Sequence, residues 1–211
     1  DFTEGGYIVF VTANGYIKKT ELVAFSNPRP SGLIALSIDD GDALIRVAVT
    51  TGESELLVAT RMGMAIRFKE EDVRPMGRTA RGVKALNLKK EGDAVVGMTI
   101  LADEEMDILT ISERGYGKRT ALEEYRVQGR GGSGIINMKL SDRTGDVASA
   151  RAVSKDDEIM VVTHRGMMIR TEVKQISTMS RSTQGVRIIT MRDEEEHVAS
   201  LARIADSDDE E

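Results

Sequence analysis

Four short runs decide the fold: YIVFVTANG (7–15), ELLVATRMG (55–63), DILTISERG (107–115) and EIMVVTHRG (158–166). Each is rich in β-branched and aliphatic residues and ends on a turn glycine. The glycines, Gly15, Gly63, Gly115 and Gly166, lie 48, 52 and 51 residues apart. The match extends past the glycine. Three or four residues on comes a base: Lys18 and Lys19, Arg67, Lys118 and Arg119, Arg170. Ten residues on comes an apolar or aromatic residue: Phe25, Val73, Tyr125, Ile176. A second glycine (Gly32, Gly82, Gly134, Gly185) follows the first by 17, 19, 19 and 19 residues. An alternating segment comes next: LIALSI (33–38), VKALNL (83–88), IINMKL (135–140) and VRIITM (186–191).

Three repeats then place a DGD, EGD or TGD turn, at 40–42, 91–93 and 144–146, before a closing strand such as ALIRVAVT (43–50). The dominant period is 2 rather than 3.6, so the units are strands joined by Gly/Asp turns. Four strands per roughly 50 residues predict propeller blades, each burying its faces against its neighbours. The expectation is an all-β β-propeller of four blades at 1–53, 54–105, 106–156 and 157–205, with an acidic tail at 206–211. On pattern alone an all-β solenoid or a pair of sandwiches stays open.

Composition narrows the function. The 211 residues are 40% hydrophobic and 4% aromatic, without Cys or Trp. A disulfide framework and a thiolate metal site are thereby excluded. No apolar run reaches the ~20 residues of a membrane helix, and a cytoplasmic location is expected. The net charge of −6 hides an asymmetry. Residues 193–211 hold nine acids against one base, leaving 28 bases and 26 acids in the body of the chain. The final DSDDEE reads either as a solvated tail or as a competitor for an anionic ligand.

Little supports catalysis. His164 and His197 lack a Cys or a second His at ligand spacing, and neither a G-x-S-x-G elbow nor a P-loop occurs. Acid pairs such as Asp39–Asp40 and Asp156–Asp157 stand in turns, where Asp bonds its own backbone. No catalytic, metal or cofactor site is expected in this chain.

The bases recur in register. RPMGRTARGVK (74–84) carries Arg74, Arg78, Arg81 and Lys84; RVQGRGGSGIINMK (126–139) carries Arg126, Arg130 and Lys139 beside Gln128. SRSTQGVR (180–187) carries Arg181 and Arg187, and NPRPSG (27–32) carries Arg29. Arg78, Arg130 and Arg181 each stand four residues before the second glycine. In stacked repeats such positions share one side, predicting a basic track suited to duplex phosphates. The neighbouring glycines would let backbone N–H groups approach them. Scarce aromatics argue against single-strand binding, and nothing resembles a helix for base readout. On the residues alone, bases that only protect strand edges, a protein-interaction propeller and an enzyme using a propeller's central channel remain as alternatives.

The loops VRPMGRTARGV (73–83), YRVQGRGGSGIINMK (125–139) and STQGVRIITM (182–191) closely resemble blades of the DNA gyrase A C-terminal domain. The corresponding domain of topoisomerase IV is similar but matches these loops less well. The resemblance implies the distal four blades of a six-bladed β-pinwheel whose blades exchange strands. It implies non-sequence-specific wrapping of duplex DNA that lets an ATP-dependent A2B2 holoenzyme introduce negative supercoils. The partners implied are DNA, the rest of the gyrase A protein and the gyrase B protein, with ATP and Mg2+ acting in other parts; the isolated segment is expected to be monomeric. A family motif, Q-R-R-G-G-K-G, is needed there for wrapping. Its nearest match is QGRGGSG (128–134), in which Gly129 and Ser133 depart. This reads as a degenerate copy, with the intact motif and two further blades expected upstream of Asp1.

Overall fold

The structure, a computed structural model, describes residues 5–101 and 105–204. The expected tail at 206–211 lies outside them. Each repeat opens with the same hairpin: β1 (Tyr7–Thr12) with β2 (Tyr16–Glu21), then β4 (Glu55–Thr60) with β5 (Met64–Lys69), β8 (Asp107–Ser112) with β9 (Tyr116–Ala121), and β12 (Glu158–Thr163) with β13 (Met168–Glu172). The turn glycine has φ of 77–82° at all four sites, the left-handed conformation that closes such a loop. A hydroxyl fixes the turn. Thr12, Thr60, Ser112 and Thr163 each accept the N–H of the residue four positions on. A 3-10 turn follows at Leu22–Phe25, Glu70–Asp72, Leu122–Glu124 and Val173–Gln175.

The remaining strands show how repeats interlock. β3 (Leu44–Thr50), β7 (Val95–Leu101), β11 (Val147–Val153) and β15 (Val198–Ile204) pair within their own repeat. The two-residue strands β6 (Val83–Lys84), β10 (Ile135–Ile136) and β14 (Val186–Arg187) pair instead with β2, β5 and β9 of the preceding repeat. The sheets therefore run β3-β1-β2-β6, β7-β4-β5-β10, β11-β8-β9-β14 and β15-β12-β13. This is an all-β, four-bladed propeller arrangement.

Two departures from the sequence expectation follow from this exchange. The fourth sheet has three strands among the described residues, which include no following repeat to donate a fourth. The segment 33–38, expected as a strand, forms none. Among the described residues no preceding blade is present for it to join, and Ile34 and Ile38 stand 69% and 43% exposed.

The core sits between blades, as period 2 demands. Leu56 and Val58 of β4 face blade one and pack with Val9, Val11 and Ile17. Leu57 and Ala59 of the same strand face blade three and pack with Ile108 and Tyr125. Leu109 and Ile111 repeat the pattern toward blade four, with Ile159, Val161 and Ile189. At about 1.5–3 kcal/mol per buried aliphatic side chain, each blade is held chiefly by its neighbours.

Candidate nucleic-acid interface

β3, β7, β11 and β15 meet at the centre of the array, so β6, β10 and β14 mark its outer edge. The loops 73–82, 125–134 and 176–185 lead into those outer strands. Each lies along the preceding blade, through parallel bridges Lys19–Pro75, Arg67–Val127 and Arg119–Thr178. The N–H groups of Met76, Gln128 and Met179 donate to the carbonyls of Lys19, Arg67 and Arg119 at 2.8 Å each. The basic loops are thus placed in register on the outside.

The hairpin bases do not share that surface. Lys18 and Lys118 are fully buried, and Lys19 and Arg119 are 4% and 9% exposed. Lys18 Nζ donates to the carbonyls of Ala35 (2.5 Å) and Arg78. Lys118 Nζ donates to Thr120 Oγ1 (2.7 Å) and Ser180 O (2.9 Å). Burial lowers both lysines from 10.5 to about 8; the Arg78 charge adds to this at Lys18. At Lys118, Glu124 opposes the shift and Arg181 reinforces it.

The base one position later clamps the next blade's 3-10 turn. Lys19 Nζ bonds Glu70 O at 3.1 Å and stands 3.7 Å from the buried Glu70 carboxylate. Arg67 bonds the carbonyls of Leu122 and Tyr125 and pairs with Glu55 at 2.5 Å. Arg119 bonds Ile176 O at 2.8 Å and pairs with Asp107 at 3.0 Å. Arg170, on the last blade, is exposed and pairs with Glu158. Burial takes Lys18, Lys19, Arg67, Lys118 and Arg119 away from the outer surface as interior ties between blades, which corrects their expected place on the basic track, whereas Arg170 stays exposed.

The loop bases divide. Arg130 and Arg181 are half-buried and staple adjacent loops. Arg130 donates to Asp72 O (2.8 Å) and Lys84 O (3.1 Å), and Arg181 donates to the equivalent Ile136 O (2.8 Å). Gln128 is half-buried, with its Nε2 unpartnered among the described residues. The glycines also turn inward. Gly131 N–H donates to Ala85 O at 2.7 Å rather than pointing outward. A Cβ at Gly134 would fall within 3.0 Å of the Ala65 backbone.

Arg29, Arg74, Arg81, Lys84, Arg126, Lys139 and Arg187 are exposed, and Arg78 is half-buried. Three of these converge on two tyrosines. Arg81 and Lys84 lie over the Tyr16 ring at 4.0 and 4.1 Å. Arg187 lies over Tyr116 at 5.3 Å and donates to its hydroxyl at 2.7 Å. Arg143, not anticipated from sequence, joins it 4.8 Å from the ring. The signal for these platforms was a tyrosine directly after the turn glycine in repeats one and three. Each ring gathers two guanidinium or ammonium groups at the outer edge. Of these cations, Arg81 also pairs with an acid, Asp39, at 2.7 Å.

Comparison with known proteins places this geometry. The DNA gyrase C-terminal domain, beta-propeller, family matches residues 6–51, 54–102, 107–154 and 157–205. The A subunit of Salmonella typhimurium DNA gyrase is 43% identical over the whole chain, which spans 24% of that protein. That of Pseudomonas aeruginosa is 44% identical over 90% of the chain and 20% of the relative. Among solved structures, a DNA gyrase A C-terminal domain superposes with a TM-score of 0.87 at 29% identity, over 97% of this chain and 68% of that one. The C-terminal domain of DNA topoisomerase IV gives a TM-score of 0.91 at 29% identity, over 97% and 63%. The chain spans about a quarter of the length of its gyrase relatives, and it matches only their C-terminal part. The four-fold repeat, its exchanged outer strands and these matches agree: the chain belongs to the DNA gyrase C-terminal β-propeller family.

Proposed function

We propose that this chain binds duplex DNA along its outer edge without sequence specificity and bends it. Within a gyrase-type topoisomerase, that wrapping presents a crossing segment to strand passage and yields negative supercoils. The observation that carries the reading is the row of exposed outer cations, Arg74, Arg81, Lys84, Arg126 and Arg187, with Arg29 exposed as well. Repeated cations along an outer edge meet phosphates along one strand path and contribute no base readout. Bending a 20–30 base-pair site costs about 1–6 kcal/mol, so several contacts must act together.

In this reading the chain is a non-catalytic part of a cytoplasmic holoenzyme. Its partners are the rest of the gyrase A protein and the gyrase B protein, with ATP and Mg2+ used elsewhere in the assembly. By itself the segment is monomeric. Six phosphate contacts predict that log Kobs falls against log salt with a slope of about −5. Duplexes of unrelated sequence should give the same slope. Fluorescence anisotropy across a salt titration at constant pH measures it; a slope near zero would overturn the proposal.

A further inference from the structure

We propose that the cavity at the centre of the array binds a small multivalent oxyanion, of the class of pyrophosphate or the triphosphate of a nucleotide. The inference does not depend on the DNA reading. The cavity lies where β3, β7, β11 and β15 converge, has a volume of about 370 Å³, and is lined by Arg46, Thr99, Arg151 and Arg203 among others. That volume falls within the ~300–1,000 Å³ of small-molecule sites. It sits at the opposite end of the sheets from the basic loops. Three strand spacings, about 14 Å, separate inner from outer strands, so it is distinct from the outer edge.

Three guanidinium groups share this space, and no carboxylate lines it among the described residues. Arg151 Nε donates to Leu201 O at 2.7 Å. That bond orients the guanidinium and leaves its two terminal nitrogens without partners among the described residues. Arg46 has no partner there at all. Arg203 Nε stands 3.6 Å from Asp157 Oδ2, too far for a hydrogen bond, and that oxygen already accepts Ser154 N–H at 2.7 Å. Thr99 Oγ1 accepts Ala152 N–H at 3.1 Å, which leaves its hydroxyl proton to donate. Burial and then the Arg46 charge push the pKa of Arg151 down. Gathering like charges in a partly desolvated space is unfavourable unless an anion offsets them. Two guanidinium forks and a hydroxyl match the oxygens of a polyphosphate.

The arginines are also not products of the repeat. Val11, Ala59, Ile111 and Val162 are equivalent, and their partners on the central strands are Arg46, Gly97, Ser149 and Ser200. Two residues further along the central strands, Ala48, Thr99, Arg151 and Ala202 align. Each row holds a single arginine, whereas bases on the outer edge recur. The central cations are placed individually, as a ligand site requires.

Titration calorimetry of the full chain with sodium pyrophosphate tests this. One saturable site is expected. Its affinity should fall about tenfold or more in R46A/R151A and stay unchanged in R74A/R126A, which alters only outer-edge cations. Should R46A/R151A fail to fold, R46E replaces it, since Arg46 is exposed; pyrophosphate should then raise the Tm of the parent and not that of R46E. Duplex DNA affinity of the central variants should equal the parent's, which separates this proposal from the DNA reading. No saturable binding, or equal weakening by R74A/R126A, would overturn it. So would binding that appears only after residues 206–211 are removed, because the chain's own carboxylates would then be the occupant.

Discussion

Replacing Lys118 with Met should remove a pH dependence of stability that the wild-type chain carries. The ammonium is fully buried and donates to Thr120 Oγ1 and Ser180 O. Burial lowers its pKa from 10.5 to about 8. Below pH 8 both folded and unfolded chains hold the proton, and the cost of burying the charge is fully expressed. Between about 8 and 10.5 the folded chain has lost the proton while the unfolded chain keeps it, so stability rises with pH. Above 10.5 neither holds it and the gain is complete. At 1.36 kcal/mol per pH unit, the gain across this window is about 3 kcal/mol. Met keeps the volume and lacks the titration. It also leaves the Ser180 carbonyl unsatisfied, at about 1–3 kcal/mol. Near neutral pH loss and relief nearly cancel, and the variant should be about as stable as the parent. At about pH 10 the parent should lead by about 2–3 kcal/mol. Urea denaturation reads this as a difference in midpoint that opens by about 1–3 M over the window, at ~1–3 kcal/mol per M. Lys18 and the buried Tyr125 titrate in both proteins and cancel in the difference. A parent-minus-variant difference that stays flat from about pH 7.5 to 10.5 would refute the buried-amine account.

Other substitutions probe the blade ties and the outer edge. Glu70→Ala strips the fully buried carboxylate facing Lys19 and Thr50 Oγ1. It should cost about 3–5 kcal/mol in urea denaturation, and a loss below about 1 kcal/mol would show that the charge is solvated. Gly134→Ala meets a φ of +70° and the Ala65 backbone. It should destabilise the chain by at least about 1–3 kcal/mol. Gly129→Ala, with nothing within 4 Å of the added methyl, should stay within about 0.5 kcal/mol. The triple variant R74A/R81A/R126A should weaken duplex binding equally for unrelated sequences and reduce the salt slope by about 3; unchanged anisotropy titrations would move the DNA path elsewhere.

The hairpins, the outer loops and the number of blades are all legible from period, turn glycines and spacing. Those signals are local and recur four times. Which bases point outward is not legible from register alone, because repeats align interior and exterior positions equally well. Lys18 and Lys118 occupy the position held by Ile66 and Ile169 in the other repeats. A base where sister repeats carry isoleucine marks an interior site, and that signal was present. Arg67, Arg119 and Arg170 each pair with an acid 12 residues upstream, at the matching strand position. Tyr7 fills that position, 12 residues upstream of Lys19, and offers its ring instead, 4.7 Å away. Strand exchange is what the residues could not disclose. The alternating run after each second glycine looks the same whether it pairs at home or abroad, and 33–38, unpaired as a strand among the described residues, shows the difference.

The repeats are alternating pairs rather than four equal units. After the turn glycine stand Tyr16, Met64, Tyr116 and Met167; two residues later stand Lys18, Ile66, Lys118 and Ile169. Blades one and three thus combine a tyrosine that gathers cations with an interior lysine that ties down the incoming loop. On both blades the lysine holds a backbone carbonyl of that loop, Arg78 O or Ser180 O. On the same blades the tyrosine orients bases of the strand the loop leads into, Lys84 or Arg187. The two features act on one loop from opposite sides, so the buried charge is part of how the exposed charge is positioned. Blade two lacks both features. Its incoming loop is held by the Arg67 clamp on Tyr125 O and by Arg130 on Asp72 O and Lys84 O. If the proposed DNA path follows the outer edge, a duplex there should meet ring-supported cations on blades one and three and a stapled arginine between them.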